Sequence, residues 1–170
     1  MPRPSGNRIR RVGTATPSDI RSANADDRAF VIETVRRLPE FGVPPGRTPE
    51  EIVSGEVRML SAYFDAPPEG STLLIAEGSG RERLGFAYLE TETDFFTRRQ
   101  HGHLRILAVT RAAEGRGVGG ALLSASESWA KARGYATLTL NVFASNRRAR
   151  DVYERRGYSP ESLRYTKLLG

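Results

Sequence analysis

The chain predicts an α/β (α+β) fold, a sheet with helices packed on it, and three stretches carry that expectation. Residues 71–93 hold two β-rich runs joined by Gly78-Ser79-Gly80-Arg81, which is a hairpin signal with a loop slightly longer than two residues. Residues 103–120, HLRILAVTRAAEGRGVGG, read as a buried strand, a short polar turn and a glycine-rich loop that opens an amphipathic helix. Residues 16–64 offer two helix starts, each a Thr-Pro pair with an acid two residues after the proline. Strands and helices therefore interleave along one chain of 170 residues, long enough to bury a substantial core.

In order, residues 1–7 read as a frayed tail and 8–170 as a single domain, with a first strand over 9–14. Thr16-Pro17-Ser18-Asp19 supplies a cap, a proline at the first helical position and an acid at the third, which mark a helix start. Phe30, Ile32, Val35 and Leu38 give a helix over 26–38 its apolar positions. Pro44, Pro45 and Gly46 make 39–47 a loop. Thr48-Pro49-Glu50-Glu51 repeats the cap signature and opens a helix to about Phe64. In the second hairpin strand Phe86, Tyr88, Glu90 and Glu92 share one face, because successive side chains alternate. A polar loop over 93–102 carries two exposed aromatics, Phe95 and Phe96. Past the glycines, Val118, Leu122, Ala125, Trp129 and Ala132 form one apolar stripe, and Gly134 stops that helix. A strand over 136–142 puts Leu138, Leu140 and Val142 on one face. Ala149, Val152 and Tyr153 then form the stripe of a last helix closed by Gly157, and 162–168 form a closing strand.

The glycine-rich junction is where chemistry concentrates. The first turn of a helix leaves N–H groups unpaired and carries the positive end of the helix dipole, so an anion fits there. The dipole contributes roughly 0.3–1 kcal/mol, whereas each hydrogen bond to a charged oxygen contributes roughly 1.5–3 kcal/mol, so the amide cluster would hold the ligand. A Walker A loop needs Lys and then Ser or Thr after the last glycine, but Gly120 is followed by Ala121 and Leu122. Gly115, Gly117 and Gly120 spell G-x-G-x-x-G, yet Asn141 stands where a dinucleotide fold wants an acid.

The remaining reading is a coenzyme A loop. LAVTRAAEGRGVGGALL resembles motif A of the GNAT superfamily of N-acetyltransferases: Gly117 and Gly119 match its glycines, while Glu114 stands at its usual Arg or Gln. A second stretch, NVFASNRRARDVYERRGYSP, resembles a further GNAT signature, with Asn146 near a helix start and Tyr153 two turns on. The resemblance covers about residues 104–158, and the first hundred residues follow the family only in element order.

It implies a GNAT fold, a central mixed, mostly antiparallel twisted sheet of six to seven strands flanked by about four helices, with a splayed central strand pair. It also implies acetyl-CoA as the donor. Leu107, Ala108 and Val109 would align the thioester arm, and Glu114, Gly115, Arg116, Gly117, Val118, Gly119 and Gly120 would hold the pyrophosphate, with Asn146 and Tyr153 flanking coenzyme A. A backbone N–H beside the thioester would polarise its oxygen, and Tyr153 would be the general acid for the departing thiolate. The two helices after the first strand would form the wall over the acceptor, and a homodimer is usual for the family.

The base is the thin point. An alkylamine of lysine-like pKa near 10.4 is neutral in only about one molecule in 2,500 at pH 7, so a base or water relay is expected. Relatives place an acid in the central strand where Arg105 and Ile106 stand here. Glu90, Glu92, His101 and His103 are the substitutes, a histidine near pKa 6.5 being best matched. The expected reaction is acetyl transfer to a primary amine of a small molecule in a ternary complex. Two other readings are an acetyltransferase for a protein amine or aminoacyl-tRNA, and a non-catalytic acyl-CoA-binding module.

Composition sets outer limits. There is no cysteine, so no protein thiolate enters the chemistry. No apolar run approaches the roughly 18 residues of a membrane span, and MPRPSGNRIRR lacks the apolar core of a signal peptide, so a cytoplasmic protein is expected. The net charge of +6 is carried by arginines spread along the chain, with Lys131 and Lys167 the only lysines. A polyanionic cofactor accounts for part of it, and a nucleic-acid surface is not indicated.

Overall fold

A computed structural model describes residues 17 and 19–169. Its frame is a sheet of five strands in the order β1-β2-β3-β4-β5: β1 Asp19–Ser22, β2 Thr72–Glu77, β3 Arg83–Thr93, β4 Gln100–Val109 and β5 Leu138–Leu140. The first four strands pair antiparallel. β5 joins β4 in parallel, as a helical crossover between neighbouring strands requires. Four helices flank the sheet: α1 Arg28–Val35, α2 Pro49–Asp65, α3 Val118–Ala132 and α4 Arg147–Arg155.

Alternation along the strands builds two cores. Leu73 and Ile75, Phe86 and Tyr88, and Ile106 and Ala108 point to one face, where Val31 and Val35 of α1 and Leu60 of α2 close on them. Ala76, Ala87, Leu89 and Leu104 point to the other, against Val118, Leu122 and Leu123 of α3. Each large apolar side chain so removed from water contributes about 1.5–3 kcal/mol.

The hairpin, α2 and the central strand lie where the sequence places them. Thr48 and Glu51 cap α2 reciprocally, Thr48 Oγ1 accepting from the Glu51 amide at 3.2 Å and Glu51 Oε2 from the Thr48 amide at 2.8 Å. Phe95 and Phe96 are exposed as expected.

Three expectations are corrected. Asp19 does not start a helix. It belongs to β1, whose Arg21 is held by Asp27 and Glu77, and the true capping box is Asn24 with Asp27, at the 3-10 turn Ala25–Asp27 that leads into α1. Residues 162–168 form no strand: they pair with no neighbour among the described residues, and Leu163, Tyr165 and Leu168 stand 75%, 87% and 65% exposed. The expected strand over 136–142 shrinks to three residues. The count is therefore five strands among the described residues rather than six or seven. The predicted tail at 1–7 and strand at 9–14 lie outside those residues. On α3 the buried stripe is Val118, Leu122, Leu123, Ser126 and Ala130; Ser126 fits because its hydroxyl donates to the Leu122 carbonyl at 2.8 Å.

Candidate functional site

The central strand pair splays. β4 and β5 pair only through Gly102 with Leu138, His103 with Thr139 and Leu104 with Leu140, while β4 runs on to Val109. On its other side β4 stays paired with β3, and Arg105 is the extra residue of a bulge between the Tyr88–Ile106 and Leu89–Leu104 pairs. The Thr110 amide donates to the Leu84 carbonyl, and backbone groups alternate in direction along an antiparallel strand. Those of Leu107 and Val109 therefore face the gap that β5 leaves. The result is a stretch of exposed edge pointing at the mouth of the sheet.

That edge leads into the glycine loop. Gly115 and Gly117 have φ of +72° and +79°, and a Cβ added to either would meet nothing within 4 Å. Gly117 is the N-cap of α3 and lends no side chain to it. The first backbone bond of the helix runs from the Ala121 amide to the Gly117 carbonyl. No backbone partner among the described residues engages the amides of Gly115, Gly117, Val118, Gly119 and Gly120. Any other residue at 117 strains the left-handed backbone by roughly 1–2 kcal/mol. Gly117→Ala should therefore lower the melting temperature by a few degrees, measurable by thermal unfolding.

Glu114 does not confront this loop as a bare carboxylate. Its Oε1 accepts from Arg37 Nη2 at 2.6 Å and its Oε2 from Arg148 Nη1 at 3.0 Å, which hold its pKa below the ordinary glutamate value. Arg156 reaches the same helix start, where Nη1 donates to Ser124 Oγ at 2.8 Å and Nη2 lies 2.8 Å from where a Cβ of Gly120 would be. Two guanidiniums on one carboxylate leave a net positive charge, so the loop suits an anion despite Glu114. Arg116 adds a further positive charge within the loop.

From α4, the half-buried Tyr153 packs edge-on to Tyr158 at 5.9 Å between ring centres and against the α3-side core. Burial raises its pKa, and its hydroxyl bonds to no described residue. Asn146, two turns earlier, is the N-cap of α4, its Oδ1 accepting from the Ala149 amide at 3.1 Å.

The four residues proposed as bases gather on one face of the closed half of the sheet, Glu90 opposite His103 and Glu92 opposite His101. Tyr88 Oη donates to Glu90 Oε1 at 2.7 Å. His103 is 3% exposed, and burial lowers its pKa, so the ring is neutral. Its Nδ1 meets Thr139 Oγ1 at 2.8 Å and its Nε2 meets Asn141 Nδ2 at 3.4 Å. With Asn141 donating, the tautomer is Nδ1–H and the lone pair of Nε2 is already engaged. His101 Nε2 lies 3.8 Å from Glu92 Oε2, and its Nδ1 is buried without a partner among the described residues.

Sequence reading missed Glu56. It lies midway between Ile52 and Leu60, the two buried residues of α2, so an acid interrupts the helix's core-facing stripe at i+4 spacing. Burial raises its pKa, while Arg105 pulls it down and Glu90 pushes it up. It lines a cleft of about 750 Å³ with Ile52, Gly55, Arg58 and, from the segment after β5, Phe143. An acid within an apolar stripe is the signal that would have found it.

Known proteins agree with this arrangement. The acetyltransferase (GNAT) family model matches residues 39–158. The chain is 32% identical over 146 residues to YhfO of Bacillus subtilis, an uncharacterised N-acetyltransferase, covering 85% of this chain and 91% of that one. It is 29% identical over 162 residues to the mycothiol acetyltransferase of Beutenbergia cavernae, covering 95% of this chain but 48% of that protein. Among solved structures, a protein of Pyrococcus furiosus assigned as an acetyl transferase superposes with a TM-score of 0.71 at 22% identity, over 89% of this chain and all of that one. With the splayed strand pair, the open glycine loop and a family model spanning both, the chain belongs to the GNAT family of N-acetyltransferases.

Proposed function

We propose that the protein transfers an acetyl group from acetyl-CoA to the primary amine of a small molecule while both are bound. The observation that carries this is the continuity of the open β4 edge at Leu107 and Val109 with the free amides of residues 115 and 117–120. The residues fit the donor: the amides and surrounding arginines suit a diphosphate, the glycines leave room for it, and the strand edge offers hydrogen bonds to an amide-bearing arm.

Acetyl-CoA supplies an acyl group activated as a thioester. The chain's own residues do the rest. Gly115, Gly117, Val118, Gly119 and Gly120 bind the phosphates through N–H donors, and the backbone of Leu107 and the N–H of Val109, whose carbonyl is taken by Arg37, orient the arm and offer a donor to the acyl oxygen. Ala108 packs into the core from the opposite face of β4 and keeps that edge straight. Tyr153 holds a proton at Oη for the leaving thiolate; its burial keeps the phenol protonated beyond neutral pH.

On the acceptor side, Glu56 Oε takes the amine proton. A carboxylate whose pKa is raised toward neutrality is a better base than a solvated one, and Glu56 faces the cleft that α2 walls off. The sign is fixed: the base works when deprotonated, so kcat/KM falls as pH drops through the raised Glu56 pKa. Glu56→Gln should remove that acid limb and lower kcat about tenfold, since water in an open cleft takes over part of the role. A pH–rate profile of both forms measures this; an unchanged acid limb returns the task to Glu90 or Glu92. A cleft of about 750 Å³ suits a small acceptor, and one relative is a mycothiol acetyltransferase. Thiol release from acetyl-CoA across a panel of free amines, peptides and aminoacyl-tRNA tests the assignment: turnover with a free amine is expected, and turnover confined to the macromolecules would overturn it.

A further inference from the structure

Arg37 stands where the two halves of the site meet. It follows α1, and its guanidinium reaches three elements. Nη1 donates to the Val109 carbonyl at 2.6 Å, and Nη2 donates to Glu114 Oε1 at 2.6 Å and to Glu40 Oε2 at 2.9 Å. The first acceptor lies on the open edge of β4, the second on the glycine loop, and the third in the turn Leu38–Phe41 that begins the acceptor wall. The side chain is 17% exposed. The second oxygens of the two acids continue outward, Glu114 to Arg148 at 3.0 Å and Glu40 to Arg111 at 2.8 Å. Charges thus alternate through Arg111, Glu40, Arg37, Glu114 and Arg148 around the mouth of the splay.

We propose that Arg37 is a positioning residue which, anchored by Glu114, clamps the donor loop, the open strand edge and the acceptor wall into one unit, so that Glu114 supports donor binding instead of opposing it. The donor part rests on the acetyl-CoA reading above. Three acceptors in three directions demand the planar fork of arginine; a lysine keeps the charge but presents one compact ammonium and cannot span them. The clamp also gives a reason for a carboxylate at the position where the motif usually has Arg or Gln. Here the acid recruits two cations from distant segments, 77 and 34 residues away in sequence. It fixes a carbonyl that would otherwise stand free beside the donor arm.

The alternative is simple charge repulsion between Glu114 and a diphosphate, and the two accounts predict opposite signs. Wild type, Arg37→Lys, Glu114→Gln, Glu114→Asp and the Arg37→Lys/Glu114→Gln double variant are compared as full chains. Without ligand, hydrogen exchange should quicken together over residues 38–41 and 111–117 in either single variant, including the one that alters only Glu114. With coenzyme A titrated by calorimetry, Glu114→Gln and Arg37→Lys should each weaken binding about five- to tenfold, less than the loss of a charge-assisted hydrogen bond to the ligand itself because the effect is indirect. The double variant should be no weaker than the worse single one, because the two residues act through one contact. Glu114→Asp, which keeps the charge and shortens the anchor, should fall between. The clamp is refuted if Glu114→Gln binds coenzyme A as tightly as wild type or more so, if the two losses multiply, or if exchange at 38–41 ignores Glu114. Absence of coenzyme A binding by wild type would instead sink the donor reading, and the exchange result on the free chain decides the clamp without it.

Discussion

Tyr153→Phe is expected to lower kcat about a hundredfold while changing the Kd for acetyl-CoA by less than about twofold. The substitution removes one oxygen and leaves the ring in place against Tyr158 and the α3-side core. That hydroxyl bonds to no described residue, so its loss orphans no partner and should barely move the melting temperature. What is lost is the proton held for the thiolate. A thiol of cysteine-like pKa, roughly 8.5, leaves poorly from water-exposed surroundings without a donor beside it. Tyr158→Phe is the internal control: its hydroxyl makes only a long 3.4 Å contact with Glu127, and its variant should turn over normally. Thiol-release kinetics with calorimetric Kd values separate the two effects. A kcat within about threefold of wild type, against the 10²-fold typical of a lost acid, would remove Tyr153 from the mechanism.

Asp27→Ala should cost about 3 kcal/mol of stability, a drop of roughly 6–12 °C in melting temperature for a chain of this size. Asp27 is fully buried and binds both Arg21, at 2.7 Å, and Arg83, at 2.6 Å, while its Oδ2 accepts from the Asn24 amide at 2.9 Å. Burial alone would raise its pKa, but these donors outweigh it and hold the carboxyl at about 2. The expected cost lies at the low end for a broken buried pair because Arg21 keeps Glu77 and Arg83 is 36% exposed. Because the folded pKa is depressed, this stabilisation is present above pH ~4 and is lost as pH falls toward 2, in all of order 2 kcal/mol. Denaturant melts of wild type and Asp27→Asn between pH 2 and 5 should converge at the acid end. Parallel curves would mean that Asp27 is not the titrating group. The function depends on this pin indirectly, since it fastens the start of α1, and with it Arg37, to β1 and β3.

Elements whose information is local were legible in the chain. The hairpin follows from alternation and a glycine turn, and α2 follows from Thr48 and Glu51, whose side chains do what their spacing suggests. The glycine loop was legible for the same reason, since residues 115–120 carry their own backbone geometry. β1 was not: Asp19–Ser22 is short, and its place depends on pairing with Glu77, Ala76, Ile75 and Leu74, more than fifty residues on. A Thr-Pro-Ser-Asp string looked like a cap because nothing local revealed that pairing. Conversely, residues 162–168 have the alternation of a strand but pair with no neighbour among the described residues, and pattern alone cannot supply the neighbour.

The candidate site divides along the same line. Leu107, Val109, the glycines, Asn146 and Tyr153 were singled out because they match family motifs. Glu114 looked like a defect because its partners, Arg37 and Arg148, are remote in sequence and meet it only in the fold. Glu56 was hidden because an acid on a helix reads as solvent-facing until its neighbours at i−4 and i+4 prove to be buried. The four acids and histidines singled out as bases do share one face, as the alternation of β3 and β4 requires, but His103 is already bonded at both ring nitrogens.

The most direct measurement is thermal unfolding with and without acetyl-CoA. Saturation at about 100 times Kd stabilises a folded chain by about 2.7 kcal/mol, roughly 5–10 °C for a chain of this length. That rise is predicted for wild type and should be about half as large in Gly117→Ala at the same donor concentration, for a binding loss of about tenfold. A melting temperature that acetyl-CoA leaves unmoved would contradict the account at its centre.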